Sequence, residues 1–413
     1  SSLSPEIALQ GNTELLYVDS ESQHQLPEAY NGLGFKNLVY IAIQVSHFYL
    51  QWITTENSRP LCQLIFIEEP EVHLHSQVQQ TFIANVWAII SDVAEKQKEN
   101  KKEPQLCITT HSSDILDKAE FEKIRYFKRC LSDAQDANKV RILNASKVLS
   151  MRTFTPERPS ASGVLPDKEK VFKFLKKYIR ITHCDLFFAD AAILIEGAAE
   201  KLLLPEMIKK SAPLLEHNYI TLLEVGGAYA SRFAGLLEFL GIPYLVITDI
   251  DSVDLSNSRK ACIANHEGAV TSNSSIKYFL DTEKISDLNE LKQDDFIVAD
   301  NKTFIAYQKP TPTPVYGEDV QMHGRTLEEA IIYENIKAFK SSKLQSEITF
   351  TDNAENDHEA VFEAVKSSTF KKTEFAIDLL VSEYDWETPS YIANGLAWLE
   401  GLLNLKVANG ENE

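Results

Sequence analysis

Three short apolar runs constrain this chain more than any other feature: "AAILIEG" at 191–197, "ITLLEVGG" at 220–227 and "PYLVITDIDS" at 243–252. Between them stand "AEKLLLPEMIKK" and "ASRFAGLLEFLG", whose length and apolar spacing suit helices. Strand and helix alternating in this way predict a parallel sheet with helices on its faces, because a parallel neighbour is reached only through a long crossover. Ligands of such sheets sit in the crevice outside the carboxyl ends of the strands. Acids stand at two of those ends. Glu196 follows the first run with Glu200 about one helical turn beyond, and Asp249 and Asp251 close the third. A spacing of two is expected to place the latter pair on one face of an extended strand, roughly 7 Å apart.

Two bare carboxylates about 6 Å apart repel by roughly 3 kcal/mol at an effective dielectric near 20, and four converging acids by several times that. Something positive must compensate. Mg²⁺ and Mn²⁺ prefer oxygen ligands, and this set contains neither cysteine nor histidine, so a divalent ion is the economical answer. Any one of these acids, taken alone, also reads as a helix cap or a solubilising loop residue. Their pairing at strand ends of one βαβαβ unit is what favours a site. Gly197, between Glu196 and Glu200, is expected to form a tight turn that lets both face it.

The segment before residue 150 carries a second strand, helix, strand series: "LCQLIFIEEP", "HSQVQQTFIANVWAIISDVAEKQ" and "QLCITTHSSDIL". "KQKENKKEPQ" between the last two reads as a solvated loop, and "RTFTPERPSASGVLPDK" at 152–168 as a connector. In "VFKFLKKYIR", Lys173, Lys176 and Lys177 form either a solvated basic helix face or a contact to a phosphate backbone. Beyond about residue 325 the chain reads mainly as helix. The expected division is 1–150, a connector with the basic helix at 151–185, and 186–413; 413 residues accommodate two to three domains at about 150 residues each.

The net charge of −19 argues against a nonspecific nucleic-acid coat, though not against a nuclease, since carboxylates that hold metal count as negative only in the unloaded chain. Cys62, Cys107, Cys130, Cys184 and Cys262 form no CxxC pair, which argues against a zinc ribbon or a disulfide framework. No apolar run approaches the roughly 20 residues of a membrane span, and no signal pattern opens the sequence, so no membrane association and a cytosolic location are the default expectations.

"LIFIEEPE" resembles a Walker B strand, where one carboxylate holds Mg²⁺ and its neighbour orients the hydrolytic water. With "GLGFKNL" upstream and "TTHSSDIL" downstream, the segment resembles the C-terminal lobe of an ABC-type ATPase head. That resemblance implies nucleotide-facing roles for Gly32, Gly34 and Asn37 at the signature position, for Glu68 and Glu69, and for His111 as the switch histidine. "EVHLH" is not the HExxH zinc spacing, so His73 and His75 are assigned no metal. No GxxxxGK[ST] occurs in the 413 residues. Either the phosphate-cradling loop lies outside this sequence or the head is degenerate, and this chain is expected not to turn over ATP alone, nucleotide binding requiring the missing lobe.

E-G-x-x-E followed some fifty residues later by D-x-D on a strand resembles a Toprim domain, the metal-binding fold of topoisomerases, primases and some nucleases. An ABC-type head followed by Toprim is the domain order of OLD-family nucleases, including the nuclease subunit of Gabija anti-phage systems. "AVTSNSSIKYFL" and "GRTLEEAIIYEN" look like stretches of the helicase-associated class 2 branch. The resemblance implies an α/β fold in which the ATPase lobe precedes a Rossmann-like Toprim sheet with a helical C-terminal extension. It implies Glu196, Glu200, Asp249 and Asp251 as ligands of two Mg²⁺ or Mn²⁺ ions, with Glu328 or Glu329 as a further acid. Lys371 or Lys372 would stabilise charge on the scissile phosphate, and Lys277 is a further phosphate contact. The implied activity is metal-dependent cutting or nicking of DNA in anti-phage defence, regulated by the head. A homodimer or larger assembly and a UvrD-like helicase are the implied partners. The rival readings are a noncatalytic ATPase-like DNA-binding and dimerisation module and a primase-like polymerising enzyme.

Overall fold

The computed structural model describes residues 16–18, 25–27, 32–97, 102–131, 144–155, 173–175, 177–178, 184–226 and 230–408. It divides into two compact units, Ser1–Glu120 and Phe121–Glu413.

In the first unit a short antiparallel pair, β1 (Leu16–Val18) and β2 (Gln25–Pro27), precedes the long helix α1 (Leu33–Ile53). β3 (Leu64–Glu68), α2 (Ser76–Lys96) and β4 (Gln105–Thr109) follow, with β3 and β4 parallel and Glu68 opposite Thr109. The short helix α3 (Ser113–Lys118) begins at Ser112, whose hydroxyl accepts from the Ile115 amide. Ile65 and Ile67 of β3 pack with Tyr49 and Trp52 of α1 and Phe82 and Val86 of α2. β3 is thus buried on one face only: Leu64 and Phe66 are exposed, although its sequence is an uninterrupted apolar run of the kind usual for strands covered on both faces.

The second unit starts before residue 150. Its hairpin of β5 (Arg125–Leu131) and β6 (Asn144–Ser150) is anchored there by Lys128, whose ammonium donates to the Leu240 and Gly241 carbonyls at 3.1 and 2.5 Å. The unit boundary therefore falls at Glu120/Phe121, ahead of the expected 150. The main sheet contains β7 (Ala191–Ile195), β8 (Ile220–Glu224) and β9 (Tyr244–Ile247), with α4 (Ala198–Ser211) and α5 (Ala230–Leu240) as crossovers. β7 is wholly buried, which its run of alanine, isoleucine and leucine permits.

Past β9 the chain forms a small antiparallel sheet, β10 (Ser252–Asp254), β11 (Lys260–Ala261) and β12 (Val270–Thr271), then α6 (Ser274–Leu280) and α7 (Ile285–Glu290). It re-enters the main sheet as β13 (Ile297–Val298) and β14 (Thr303–Ala306). The order is β13-β14-β9-β7-β8, with β14, β9, β7 and β8 parallel and β13 antiparallel at the edge. After a two-stranded turn, β15 (Thr311–Pro312) and β16 (Gln321–Met322), the remainder is helical as expected: α8 (Leu327–Glu334), α9 (Ile336–Lys340), α10 (Ala354–Lys366), α11 (Lys372–Val381) and α12 (Ser390–Ala408).

The chain leaves β7 toward β8 on one side and returns to β9 on the other. The strand order therefore reverses between β7 and β9, and a crevice opens at their carboxyl ends.

Candidate active site

Glu196 stands at the exit of β7 and Asp249 two residues beyond β9, so both lie at this reversal point. Glu196 Oε1 accepts from the Thr248 hydroxyl, from the Asp249 amide at 2.9 Å and from Asn273 Nδ2 at 3.1 Å. Asp249 is buried; its Oδ1 accepts from Gln308 Nε2 at 2.7 Å and the Leu327 amide at 2.9 Å. From the helical layer, Lys372 at the start of α11 brings its ammonium to 3.0 Å from Glu328 Oε2 and 4.0 Å from Asp249 Oδ2. Glu200, on the first turn of α4, is buried beside them and feels the charges of Glu328, Lys372 and Glu196. Of the two adjacent lysines it is Lys372 that reaches the acids; Lys371 is exposed at the N-cap of α11.

A second group adjoins the first. Arg325 Nη2 lies 3.3 Å from Asp251 Oδ1, and the Arg325 amide donates to Glu329 Oε2 at 2.9 Å. Both candidate glutamates of "RTLEEA" therefore enter the cluster, Glu328 toward Lys372 and Glu329 toward Arg325. Asp251 is not on a strand face with Asp249. β9 ends at Ile247, and Asp251 sits in a turn with φ +50, a left-handed conformation uncommon outside glycine, asparagine and aspartate. Gly197 is also not the expected tight turn: its φ of −163 is extended, and an added Cβ would meet only Glu200 Oε2 at 3.7 Å.

Burial sets the electrostatics. It pushes the Glu200 carboxyl up to about 7, with Glu328 and Glu196 adding to the effect and Lys372 opposing it. Glu329 is likewise raised to about 7 by burial. Asp249 is held well above the usual carboxylate range, first by burial and then by the charge of Glu196. Burial raises Glu196 too, against the donors from Thr248, Asp249 and Asn273. Burial opposes the charge of Lys372, yet Glu328 and Asp249 hold its ammonium above its ordinary value. The cluster is a proton-retaining acidic pocket neutralised by one lysine and one arginine. Among the described residues no three acidic, histidine or cysteine side chains form a ready-made ion shell. The donor chemistry is nonetheless all oxygen, and the buried Glu328 Oε1 and Glu329 Oε1 accept no hydrogen bond, which costs free energy unless a cation or proton meets them.

Residues 187–251 match the family described as overcoming lysogenization defect protein-like, TOPRIM domain. The chain carries an OLD-like Toprim domain. Residues 3–116 match the AAA ATPase domain family. Over 407 residues the chain is 29% identical to endonuclease GajA of Bacillus cereus strain HuB5-5, covering 94% of this chain and 56% of that protein. Over 235 residues it is 24% identical to OLD nuclease of Thermus scotoductus, covering 56% of this chain and 37% of the relative. The chain thus spans about half the length, or less, of the curated relatives it matches. The solved C-terminal region of the Burkholderia pseudomallei OLD protein is 19% identical with a TM-score of 0.29, covering 52% of this chain and 99% of that one.

Around the Toprim site, Lys277 on α6 is paired with Glu283 at 3.0 Å. Lys173 and Lys177 are exposed, and Lys176 lies outside the described residues, as does most of the expected connector. Sequence reasoning gave no part to Asn273, Gln308, Thr248 or Arg325. The polar "SNSSIK" and the arginine of "GRTLEEA" were visible, but nothing local links Asn273 to Glu196 or Arg325 to Asp251, 77 and 74 residues away.

In the AAA unit, Glu69 follows β3 at φ +41 and its Oε1 lies 3.5 Å from His111 Nε2. Glu71, which carried no assignment, positions that histidine: Oε1 accepts from the His111 amide at 2.6 Å and Oε2 from the Thr110 hydroxyl at 3.0 Å. Gly34 is a steric requirement, since a Cβ there would stand 2.0 Å from the His73 carbonyl oxygen, whereas Gly32 meets nothing within 4 Å. Asn37 Nδ2 donates to the Val72 carbonyl at 3.1 Å. Gly34 and Asn37 together hold the loop after β3 against the start of α1. Lys36, Asn37, Glu68 and Glu69 border a cleft of about 1080 Å³. His75 is the N-cap of α2.

Proposed function

We propose that this chain contains the catalytic part of a metal-dependent DNA endonuclease or nickase, with the Toprim site cleaving phosphodiester bonds. The observation that carries this reading is the convergence at the β7/β9 reversal of acids from two strand ends, Glu196 and Asp249, and two helix starts, Glu200 and Glu328, with Lys372 among them. The names of the relatives, endonuclease GajA and OLD nuclease, support it.

The residues that would hold cations are Glu200, Asp249 and Glu328 around Lys372, Glu196 beside Asp249, and Asp251 and Glu329 around Arg325. Two such groups suit a site with two ions, and carboxylate oxygens suit Mg²⁺ or Mn²⁺. A bound divalent ion supplies a water activated near neutral pH and neutralises charge on the phosphate. The chain itself orients and excludes. Thr248 and the Asp249 amide fix Glu196, and Arg325 holds Asp251 in its turn. Lys372, half-exposed at the rim, offers its ammonium to a non-bridging phosphate oxygen as charge develops there. Lys277, Lys173 and Lys177 contact the DNA backbone in this reading.

The AAA unit is the regulatory part. Its exposed Tyr40, Phe48 and Phe66 suit a homodimer contact, and its Glu69 and His111 would face nucleotide once a phosphate-binding loop is supplied. The decisive experiment incubates the purified chain with supercoiled and linear DNA across Mg²⁺, Mn²⁺ and Ca²⁺, with and without ATP. Metal-dependent cutting that Glu196→Ala and Asp249→Ala abolish without loss of folding is expected. Undiminished cutting by both variants, or DNA binding with no cleavage under any metal, overturns the proposal in favour of a contaminant or a noncatalytic module.

A further inference from the structure

We propose that two buried carboxamides, Asn273 and Gln308, are positioning residues that tie one oxygen of Glu196 and one of Asp249 and leave the second oxygen of each acid for a cation. The proposal rests on the metal-dependent reading above. Asn273 caps α6: its Oδ1 accepts from the Ser275 and Ile276 amides at 2.8 and 3.3 Å. The cap fixes which way the amide faces, so Nδ2 points into the site, where Glu196 Oε1 at 3.1 Å, Thr248 Oγ1 at 2.7 Å and the Asp249 carbonyl at 2.8 Å share its hydrogens. Gln308, just past β14, repeats the device from the other side. Its Oε1 accepts from the Ile250 amide at 2.9 Å, and its Nε2 donates to Asp249 Oδ1 at 2.7 Å. Both side chains are buried, 5% and 1% exposed.

Every hydrogen bond that the described residues make to the Glu196 carboxylate goes to Oε1, and every one to the Asp249 carboxylate goes to Oδ1. Asp249 Oδ2 instead faces the Lys372 ammonium at 4.0 Å. An amide suits this task because it orients a carboxylate without cancelling its charge. A lysine or arginine there would act as the counter-ion itself, and an acid would repel the acid it should hold. Partners of this kind, one step removed from the ion, typically govern metal affinity by about 10–100-fold.

Asn273→Ser keeps an oxygen for the α6 cap but removes the donor, and Gln308→Met keeps the length without the amide. In the full 413-residue chain, Mn²⁺ affinity by calorimetry is expected to fall about 10-fold or more in each variant. At fixed low Mn²⁺, plasmid cleavage slows with KM for DNA unchanged, and saturating Mn²⁺ restores the rate; in EDTA Asn273→Ser still melts cooperatively, a few degrees below wild type for the buried donors it loses. An Asn273→Ser protein that folds, binds Mn²⁺ and cleaves like wild type overturns the positioning role alone. A wild-type chain that neither binds Mn²⁺ nor cuts DNA overturns both this role and the nuclease reading.

Discussion

Neutralising Glu200 without changing its shape is expected to stabilise the protein when metal is withheld. Glu200 is 7% exposed, and burial, reinforced by Glu328 and Glu196, lifts its carboxyl from 4.5 to about 7. The folded state therefore holds this proton to higher pH than the unfolded chain does. The two states do not differ at this group below pH 4.5, and stability is lost as pH climbs from 4.5 through 7. A lift from 4.5 to about 7, at roughly 1.4 kcal/mol per pH unit, makes the ionised Glu200 a cost of about 3 kcal/mol at pH 8. Glu200→Gln removes the charge while retaining an acceptor, so in EDTA at pH 8 the variant should melt above wild type by about 6 °C, taking roughly 2 °C per kcal/mol for a unit of this size. The gap should close as pH falls to 5. Saturating Mn²⁺ should reverse the order, because the ion stabilises the folded wild type through the very charge that is costly without it. Differential scanning calorimetry at pH 5 and 8, in EDTA and in Mn²⁺, gives all four comparisons. A Glu200→Gln protein that melts at or below wild type in EDTA at pH 8 would refute the burial argument.

Further outcomes follow from the same geometry. Lys372→Met is expected to slow plasmid cleavage by about 10²-fold, the scale of a lost donor to developing charge, while Lys371→Met leaves the rate within a few-fold; single-turnover assays compare them, and equal effects would put the wrong lysine in the site. Mn²⁺ affinity should rise between pH 6 and pH 8, because Glu200 and Glu329, both raised to about 7, must lose protons to bind it; calorimetry in two buffers of different ionisation heat would register the released protons. In the AAA unit, Gly34→Ala should destabilise by about 1–3 kcal/mol, since its Cβ would stand 2.0 Å from the His73 carbonyl oxygen, whereas Gly32→Ala meets no clash and should cost only the loss of a favourable N-cap residue, under about 1 kcal/mol; urea titrations of both variants test the contrast.

The parallel sheet was legible because its strands are nearly continuous apolar runs, the pattern of strands covered on both faces, although β3 shows that such a run also occurs with one face exposed. β14 escaped notice: "TFIA" is four residues long and follows "LKQDDFIVADNK", whose polarity hides the return to the sheet. Asp251 was assigned to a strand face because its spacing from Asp249 is two. β9 stops at Ile247, and the acids belong to the turn, where period-two reasoning no longer applies. Lys371 and Lys372 could not be separated by spacing. The start of α11 decides, since the helix projects Lys372 to the acids and leaves Lys371 at the cap. For Glu328 and Glu329 the choice dissolves: successive residues on α8 point to different neighbours, one to Lys372 and one to Arg325.

The amino-acid sequence alone determined where β7, β8 and β9 lie, that they run parallel, and that acids close two of them, because each is a property of local apolar pattern and of the crossover a parallel pair requires. Tertiary structure alone decided which polar groups meet. Glu196 and Asn273 are separated by 77 residues, Asp249 and Leu327 by 78, and Gln308 and Asp249 by 59. The order β14-β9-β7 closes the gap to Gln308, the pairing of β10 with β12 brings Asn273 back to the site, and the start of α8 brings Leu327. The same order buries the acids in one crevice, and burial sets their charge.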